Sequence, residues 1–375
     1  MKILQLTAHF RPNIGGVETH LDDLVNSLVK KGWFVTVLTY RPLTTKAKWK
    51  IYERDKTISI FRIPYLPNLF YKLLSFPLLE FLYLFLGLFM VTPSIIFIKN
   101  PDIIHAHGLV AGFVACFWGK IFRKRVIIST HSVYGFSKKG IYRNFASWIF
   151  QNADYCLGLS QQAVEEILSL GINKLKVRKF TYWIDLEKFK RVENAKVKLK
   201  WKDRFIVLFV GRLVSEKGIA ELLESAKNWN KDIYLVIIGL GPLESEINEI
   251  SQRYKNIKYM GFVSQDKLPL YYSASDLLIV PSTSEEGFGR VILEALSCGT
   301  PVVGADRGAI SEAINDDVGK LIDVSPENIK RTVEYFYTYR DKLAQLAKKC
   351  RNFAERRYSE KNVETIIRIY NKSFK

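Results

Sequence analysis

Two periodicities alternate along the chain. Residues 3–6 are a short, mostly apolar stretch that reads as a strand covered on both faces. Past a loop at residues 9–16, Val17, Leu21, Leu24, Val25 and Leu28 recur at helical spacing until Gly32 stops the helix. Residues 34–39 form the next apolar run. This order of strand, loop, helix and strand predicts a parallel sheet with helices on both faces. Further short runs fall at residues 103–106, 126–130 and 155–159. The first two lead into His105 and His107 and into Thr130 and His131, at the strand ends where open α/β sheets bind ligands.

The same alternation restarts in the second half, with strands expected at residues 205–210, 234–238 and 277–280 and helices from Ile219, from Leu243 and across residues 291–296. Between the halves, residues 185–204 carry Lys188, Lys190, Lys196, Lys198, Lys200 and Lys202 with little apolar periodicity, which predicts an exposed connection. A chain of 375 residues is long enough for two cores. The expected fold class is therefore α/β, with two Rossmann-like, doubly wound domains at residues 1–185 and 186–355. A C-terminal helix at residues 356–375 is expected to pack back toward the first domain.

One segment departs from this rhythm. Residues 81–91 are eleven apolar or glycine positions in a row, and residues 95–98 continue the run past Thr92, Pro93 and Ser94. Leu73, Phe76, Pro77, Leu78 and Leu79 widen it. A bilayer span needs about 20 apolar residues, and Glu80 and Pro93 interrupt this one. A buried helix, a helix lying in a membrane interface and a true span all remain open.

Composition narrows the classes. With 48% apolar and 25% charged residues the chain is neither disordered nor fibrous. Cys116, Cys156, Cys298 and Cys350 are too far apart for a zinc knuckle or a redox pair and read as reduced thiols. The first residues form a strand, not a secretory leader, so the chain is expected to begin inside the cell. The net charge of +19 is uneven, with 24 basic against 11 acidic residues up to Asp185 and 32 against 26 beyond it. Such a field attracts nucleic acid, anionic lipid or a phosphorylated substrate. No arginine stripe with interleaved aromatics supports nucleic acid.

The chemistry lies in two loops of the second half. Gly211-Arg212-Leu213-Val214-Ser215-Glu216-Lys217-Gly218 follows a predicted strand and opens a helix. An arginine fork and a lysine point charge five positions apart, beside a helix N-terminus, can converge on one diphosphate. Taken alone, the segment also fits a loop with ordinary surface cations. Ser284-Glu285-Glu286-Gly287-Phe288-Gly289-Arg290 then leads into a helix containing Glu294. Gly287 and Gly289 let backbone N–H groups approach an anion, while Glu286 and Glu294 can accept hydrogen bonds from sugar hydroxyls. Glu294 could otherwise be a solvated helix residue and Glu286 a dipole-favoured one.

With these loops, Gly15-Gly16-Val17-Glu18 and His20, Asp102 to His107 (DIIHAH), and Gly299-Thr300-Pro301-Val302-Val303, the chain resembles the family 4 glycosyltransferases of the GT-B architecture along essentially its whole length. The resemblance implies two domains facing across a cleft that holds the active site. It implies that Arg212 and Lys217 hold the donor diphosphate, Glu294 the ribose, Glu286 the transferred sugar, and Gly16 the diphosphate from the opposite domain. Gly287, Phe288 and Gly289 would line the donor site, His107 would lie beside the reacting centre with Glu286, and His20 and His131 would serve the acceptor. Retention at the anomeric carbon is implied as well. No retaining-hydrolase nucleophile stands out, so a same-face attack assisted by the leaving phosphate is expected.

The donor is then a nucleoside-diphosphate sugar, with no cofactor and no metal, since no two aspartates stand two positions apart. His131-Ser132-Val133-Tyr134-Gly135-Phe136 and the apolar segment are also similar, loosely, to enzymes that glycosylate phosphatidylinositol. A lipid-linked acceptor, peripheral membrane contact through the first domain and a place in the cytoplasm at the inner face of the cell membrane are expected from this. A soluble saccharide acceptor and a sugar-nucleotide epimerase on the same fold remain as alternatives. The chain departs from the family at Tyr182-Trp183-Ile184-Asp185, where Asn-Gly-Val-Asp is usual.

Overall fold

Eight strands form the first sheet: β1 (Lys2–Leu6), β2 (Phe34–Tyr40), β3 (Tyr52–Asp55), β4 (Ile58–Ile63), β5 (Ile103–His107), β6 (Arg125–Thr130), β7 (Tyr155–Gly158) and β8 (Val177–Lys179). They hydrogen-bond in the order β3-β4-β2-β1-β5-β6-β7-β8. The computed structural model describes residues 1–13, 15–42, 48–64, 77–202, 204–285 and 287–374, with the backbone alone described for 77–81 and 373–374.

All pairings are parallel except β3 with β4. The antiparallel edge is a correction to the all-parallel expectation. β3 is a polar YERD stretch without an apolar run, and β4 is interrupted by Ser59 and by Arg62. Arg62 is buried in the sheet because Glu53 pairs with it at 2.7 Å and the Arg11 carbonyl accepts from it at 3.0 Å.

The order reverses direction at β1, whose neighbours are β2 on one side and β5 on the other. The carboxyl ends of β1 and β5 are thus where a ligand site is expected. After β1 the chain enters helix Gly16–Lys30, which ends in a Schellman turn. The Gly32 N–H bonds the Val29 carbonyl at 2.8 Å and the Trp33 N–H bonds the Leu28 carbonyl at 3.2 Å, with Gly32 at a φ of 77°.

Helix Pro77–Lys99 carries the long apolar segment. Leu84, Leu88, Ile95 and Ile96 are buried in the unit's core, while Leu82, Leu86, Met90 and Phe97 lie on the opposite, exposed face, with Met90 71% and Phe97 82% accessible. The helix is long and apolar enough to cross a membrane, yet one face of it is seated in the protein. The neighbouring helices Leu109–Ile121 and Ile141–Asn152 add exposed Phe117, Ile121, Ile141, Tyr142 and Trp148. Aromatic rings knit the three together: Phe89 lies 5.0 Å from Phe117, and Phe113 lies 5.2 Å from both Phe145 and Trp148. Leu73 and Phe76 fall outside the described residues.

Six strands form the second sheet: β9 (Phe205–Val210), β10 (Ile233–Ile238), β11 (Ile257–Tyr259), β12 (Leu277–Val280), β13 (Val302–Ala305) and β14 (Gly319–Ile322). All are parallel, in the order β11-β10-β9-β12-β13-β14. This is the doubly wound dinucleotide-fold order, with its reversal between β9 and β12.

The chain divides into Met1–Thr181 with Val363–Lys375, and Tyr182–Asn362. Residues 185–204, expected as an exposed connection, are instead an integral part of the second unit. Phe189, Ala195 and Trp201 are buried, Lys196 pairs with Asp276 at 2.6 Å, and the Val192 N–H bonds Ser273 Oγ at 2.9 Å. The lysines hid this because each can keep its ammonium in water while its stem covers apolar surface. The first unit takes back the chain at Val363, not at 356, and the helix Val363–Phe374 completes it.

Candidate active site

In the second unit the two expected loops leave the carboxyl ends of β9 and β12, the strands that flank the reversal point. They are bonded to each other. The Thr283 N–H donates to the Glu216 carbonyl at 3.0 Å, and Thr283 Oγ1 and Ser284 Oγ donate to the Ser215 and Glu216 carbonyls, each at 3.5 Å. The Arg307 guanidinium also donates to the Thr283 carbonyl.

Gly218 allows this closeness. Its φ is 68°, and a Cβ there would sit 1.8 Å from the Pro281 carbonyl oxygen. Leu213, fully buried, is clasped by Leu240 and Leu243 through backbone bonds of 2.9 and 3.1 Å. It pins the loop between exposed Arg212 and half-buried Lys217, the latter on the 3-10 turn Ser215–Lys217.

Gly289, at a φ of 60°, caps helix Arg290–Ser297. Glu294 on this helix is not a solvated residue. It is 4% exposed, its Oε2 accepts from Tyr272 Oη at 2.8 Å, and its Oε1 lies 3.5 Å from Arg290 Nε. Arg290 in turn donates to the Trp183 carbonyl at 3.3 Å. Arg290 and Tyr272 were not foreseen, although Arg290 and Glu294 stand four apart on one helix, a readable pair, whereas Trp183 lies in the segment where the chain departs from the family. Burial and the Glu294 charge push the Tyr272 hydroxyl well above its usual range.

Phe288, expected at the donor, is corrected to a core residue. It is 2% exposed, with its ring 5.6 Å from Tyr358 and 6.4 Å from Tyr182. Only its backbone is available to a ligand. Gly287 is half-buried, and Glu286 lies outside the described residues.

In the first unit Gly16 is exposed at the start of its helix. His105, His107 and His131, read as a cluster at strand ends, come together, and His20 joins them. The His107 and His131 rings stack at 5.2 Å, His20 lies 5.7 Å from His131, and His105 lies 4.3 Å from His107. His105 and His107 stand two positions apart on one strand and so on the same face.

The ring of His107 is held by its neighbours on both nitrogens. It is 7% exposed, with Nε2 2.7 Å from Gln5 Oε1 and Nδ1 3.0 Å from His131 Nε2. The reason is packing: β5 is an interior strand, and β1 delivers Gln5 alongside it. His131, partly exposed, is the more accessible member.

Burial keeps His105, His107 and His131 neutral. It lowers His105 to about 3, and His107 well below its usual range with the neighbouring histidines adding to the effect. His131 is lowered to about 3 by the same cause. For fully buried His105 a stability prediction follows. An unfolded histidine takes up its proton near pH 6.5 and the folded one only near 3, so stability falls as pH drops through that window, by about 1.4 kcal/mol per pH unit. Denaturant midpoints at pH 7.5 and 5.0 should show the wild type losing about 2 kcal/mol more than His105→Asn. Equal losses in the two proteins would count against it.

Comparisons with known proteins now bear on this arrangement. A family model described as Glycosyltransferase Family 4 matches residues 14–188, and one described as Glycosyl transferases group 1 matches residues 191–369. The chain belongs to the family 4 glycosyltransferases. Its fold is of the GT-B type, as in sucrose-phosphate synthase from Thermosynechococcus elongatus, which superposes with a TM-score of 0.85 at 21% identity over 100% of this chain and 99% of the other. Anabaena HepE in complex with UDP-glucose superposes with a TM-score of 0.78 at 20% identity over 100% of both chains.

Among curated sequences, an uncharacterised glycosyltransferase of Methanocaldococcus jannaschii is 25% identical over 89% of this chain and 88% of its own. A phosphatidylinositol N-acetylglucosaminyltransferase component from Arabidopsis thaliana is 23% identical over 89% of this chain and 74% of its own. This family 4 glycosyltransferase thus has the expected fold.

Proposed function

We propose that this glycosyltransferase moves a hexose from a nucleoside-diphosphate sugar to a hydroxyl of a lipid-linked acceptor, with retention, at the inner face of a membrane. The observation that carries the donor half is the bonding of the Thr283–Ser284 loop onto Glu216 at the reversal point of the second sheet, which draws Arg212, Lys217 and the Gly289-capped helix into one locality. HepE, similar in fold, has been solved with UDP-glucose. Arg212 and Lys217 take the diphosphate. Glu294, its carboxylate held by Arg290 and Tyr272, takes the ribose, and Glu286 the transferred sugar.

The bond from the anomeric carbon to the diphosphate breaks while the acceptor oxygen bonds to that carbon on the same face. The acceptor's proton passes to an oxygen of the departing phosphate. The enzyme's part is to orient both partners and to offset the charge that develops on the diphosphate. No cofactor or metal enters this reading, and His131 and His20 serve the acceptor, His131 as a neutral ring.

The acceptor class is supported by the exposed apolar face of the first unit and its charge. Between residues 77 and 153 there are eight basic residues and two acidic ones, so the segment that carries the apolar face is strongly basic. Apolar bulk beside cations suits an anionic lipid surface. The similarity to a component of a phosphatidylinositol glycosyltransferase points the same way.

The test is a panel of labelled nucleotide sugars with a lipid extract and, separately, soluble oligosaccharides. Thermal shifts would first identify the donor that binds. Label recovered in the organic phase with the donor's anomeric configuration is the expected result. Label on oligosaccharides alone would remove the lipid acceptor, and donor consumed with no acceptor present would favour an epimerase.

A further inference from the structure

The helix Val363–Phe374 returns to the first unit after the whole of Tyr182–Asn362, and it brings one polar group into the core there. Tyr370 is fully buried, its ring 5.6 Å from His105 and 6.0 Å from Trp33. A phenylalanine would fill the same space. The hydroxyl instead joins a continuous chain of side-chain hydrogen bonds. Ser129 Oγ lies 2.7 Å from His105 Nε2, and His105 Nδ1 lies 2.6 Å from Tyr370 Oη. Gln5 Nε2 donates to Tyr370 Oη at 3.1 Å, Gln5 Oε1 lies 2.7 Å from His107 Nε2, and His107 Nδ1 lies 3.0 Å from His131 Nε2.

Each link constrains the next, because an imidazole that stays neutral has one donor and one acceptor. Gln5 Oε1 can only accept, so His107 carries its proton on Nε2. His107 Nδ1 must then accept, and His131 donates to it from Nε2. At the other end the Tyr370 hydroxyl accepts from Gln5 and donates a hydrogen bond to His105 Nδ1, and His105 donates from Nε2 to Ser129. Turning the Gln5 amide over would reverse every link at once. Tyr370 ties the amide to His105 and Ser129, so the amide cannot turn over alone.

We propose that Tyr370 and Gln5 are positioning residues that hold His107 and His131 as one neutral pair in fixed tautomers. The C-terminal helix thereby sets which ring nitrogens the acceptor half presents, at a sequence distance of more than two hundred residues from either histidine. This deepens the functional reading and rests on it only for the effect on turnover, since the tautomers themselves can be observed without substrate.

Imidazole nitrogen NMR on the full chain tests it. The wild type should show His107 as a single Nε2–H tautomer. In Tyr370→Phe the Gln5 amide loses its acceptor, so His107 should show both tautomers, and kcat should fall about tenfold with the donor KM unchanged, an effect the size of one charge-free hydrogen bond. If that variant does not fold, Gln5→Glu serves. Its carboxylate should raise the His107 pKa by at least one unit, in the direction that a nearby opposite charge dictates.

Mixed tautomers in the wild type, or a folded Tyr370→Phe with one unchanged tautomer, would overturn the proposal. So would an unshifted His107 titration in Gln5→Glu. Wild-type turnover in His107→Ala and His131→Ala, with the tautomers as described, would instead remove the functional reading and leave the positioning intact.

Discussion

Replacing Lys217 by alanine is expected to lower kcat by about a hundredfold to a thousandfold while leaving the melting temperature in place, the range seen when one preorganised stabiliser of a developing charge is removed. The physical reason is local. Lys217 stands on a single 3-10 turn whose next residue, Gly218, is pressed against the Pro281 carbonyl, so the turn cannot drift away from the β12 loop. A cation on such a turn meets the diphosphate without first being ordered, which is the condition under which electrostatic stabilisation is largest.

Arg212→Lys should be intermediate, because an ammonium keeps the charge and loses the planar fork. Steady-state kinetics with saturating donor would decide the matter. Lys217→Ala turning over at the wild-type rate would refute the donor-site assignment altogether.

How much of this was legible follows from the range over which each signal acts. The strands at β9, β10 and β12 are continuous apolar runs, and periodicity finds such runs without help from the rest of the chain. β3 and β4 escaped because their polar residues are satisfied by partners elsewhere, Arg62 by Glu53 and by the Arg11 carbonyl. In the donor half the loops could be read as motifs, yet nothing in the sequence says that Thr283 bonds Glu216 or that Phe288 turns inward to Tyr358. In the acceptor half the histidines were visible as a cluster near strand ends. Their linkage to Tyr370 was not, because no local pattern distinguishes a tyrosine that completes a hydrogen-bonded network from one that fills a core.

The apolar segment shows the same limit from another side, and it yields the second large effect. Its sequence is hydrophobic all round, so periodicity cannot separate a buried face from an exposed one. Packing separates them: Leu88 and Ile96 belong to the core, whereas Leu86, Met90 and Phe97 do not.

A variant carrying Leu86→Glu, Met90→Glu and Phe97→Glu should therefore fold as the wild type does, since exposed positions change stability little. It should lose association with vesicles of anionic phospholipid by at least about a hundredfold, because each side chain sunk in lipid contributes about 1.5–3 kcal/mol and each new carboxylate repels the surface. Salt separates the two contributions. Cations such as Lys120, Arg123, Lys138 and Lys139 each add about 1 kcal/mol that fades at high ionic strength, whereas the apolar part persists.

Sedimentation at low and high salt, with wild type and triple variant side by side, reads both. A wild type that stays in the supernatant at low salt, or a triple variant that sediments with it, would take the membrane out of the function and leave a soluble acceptor in its place.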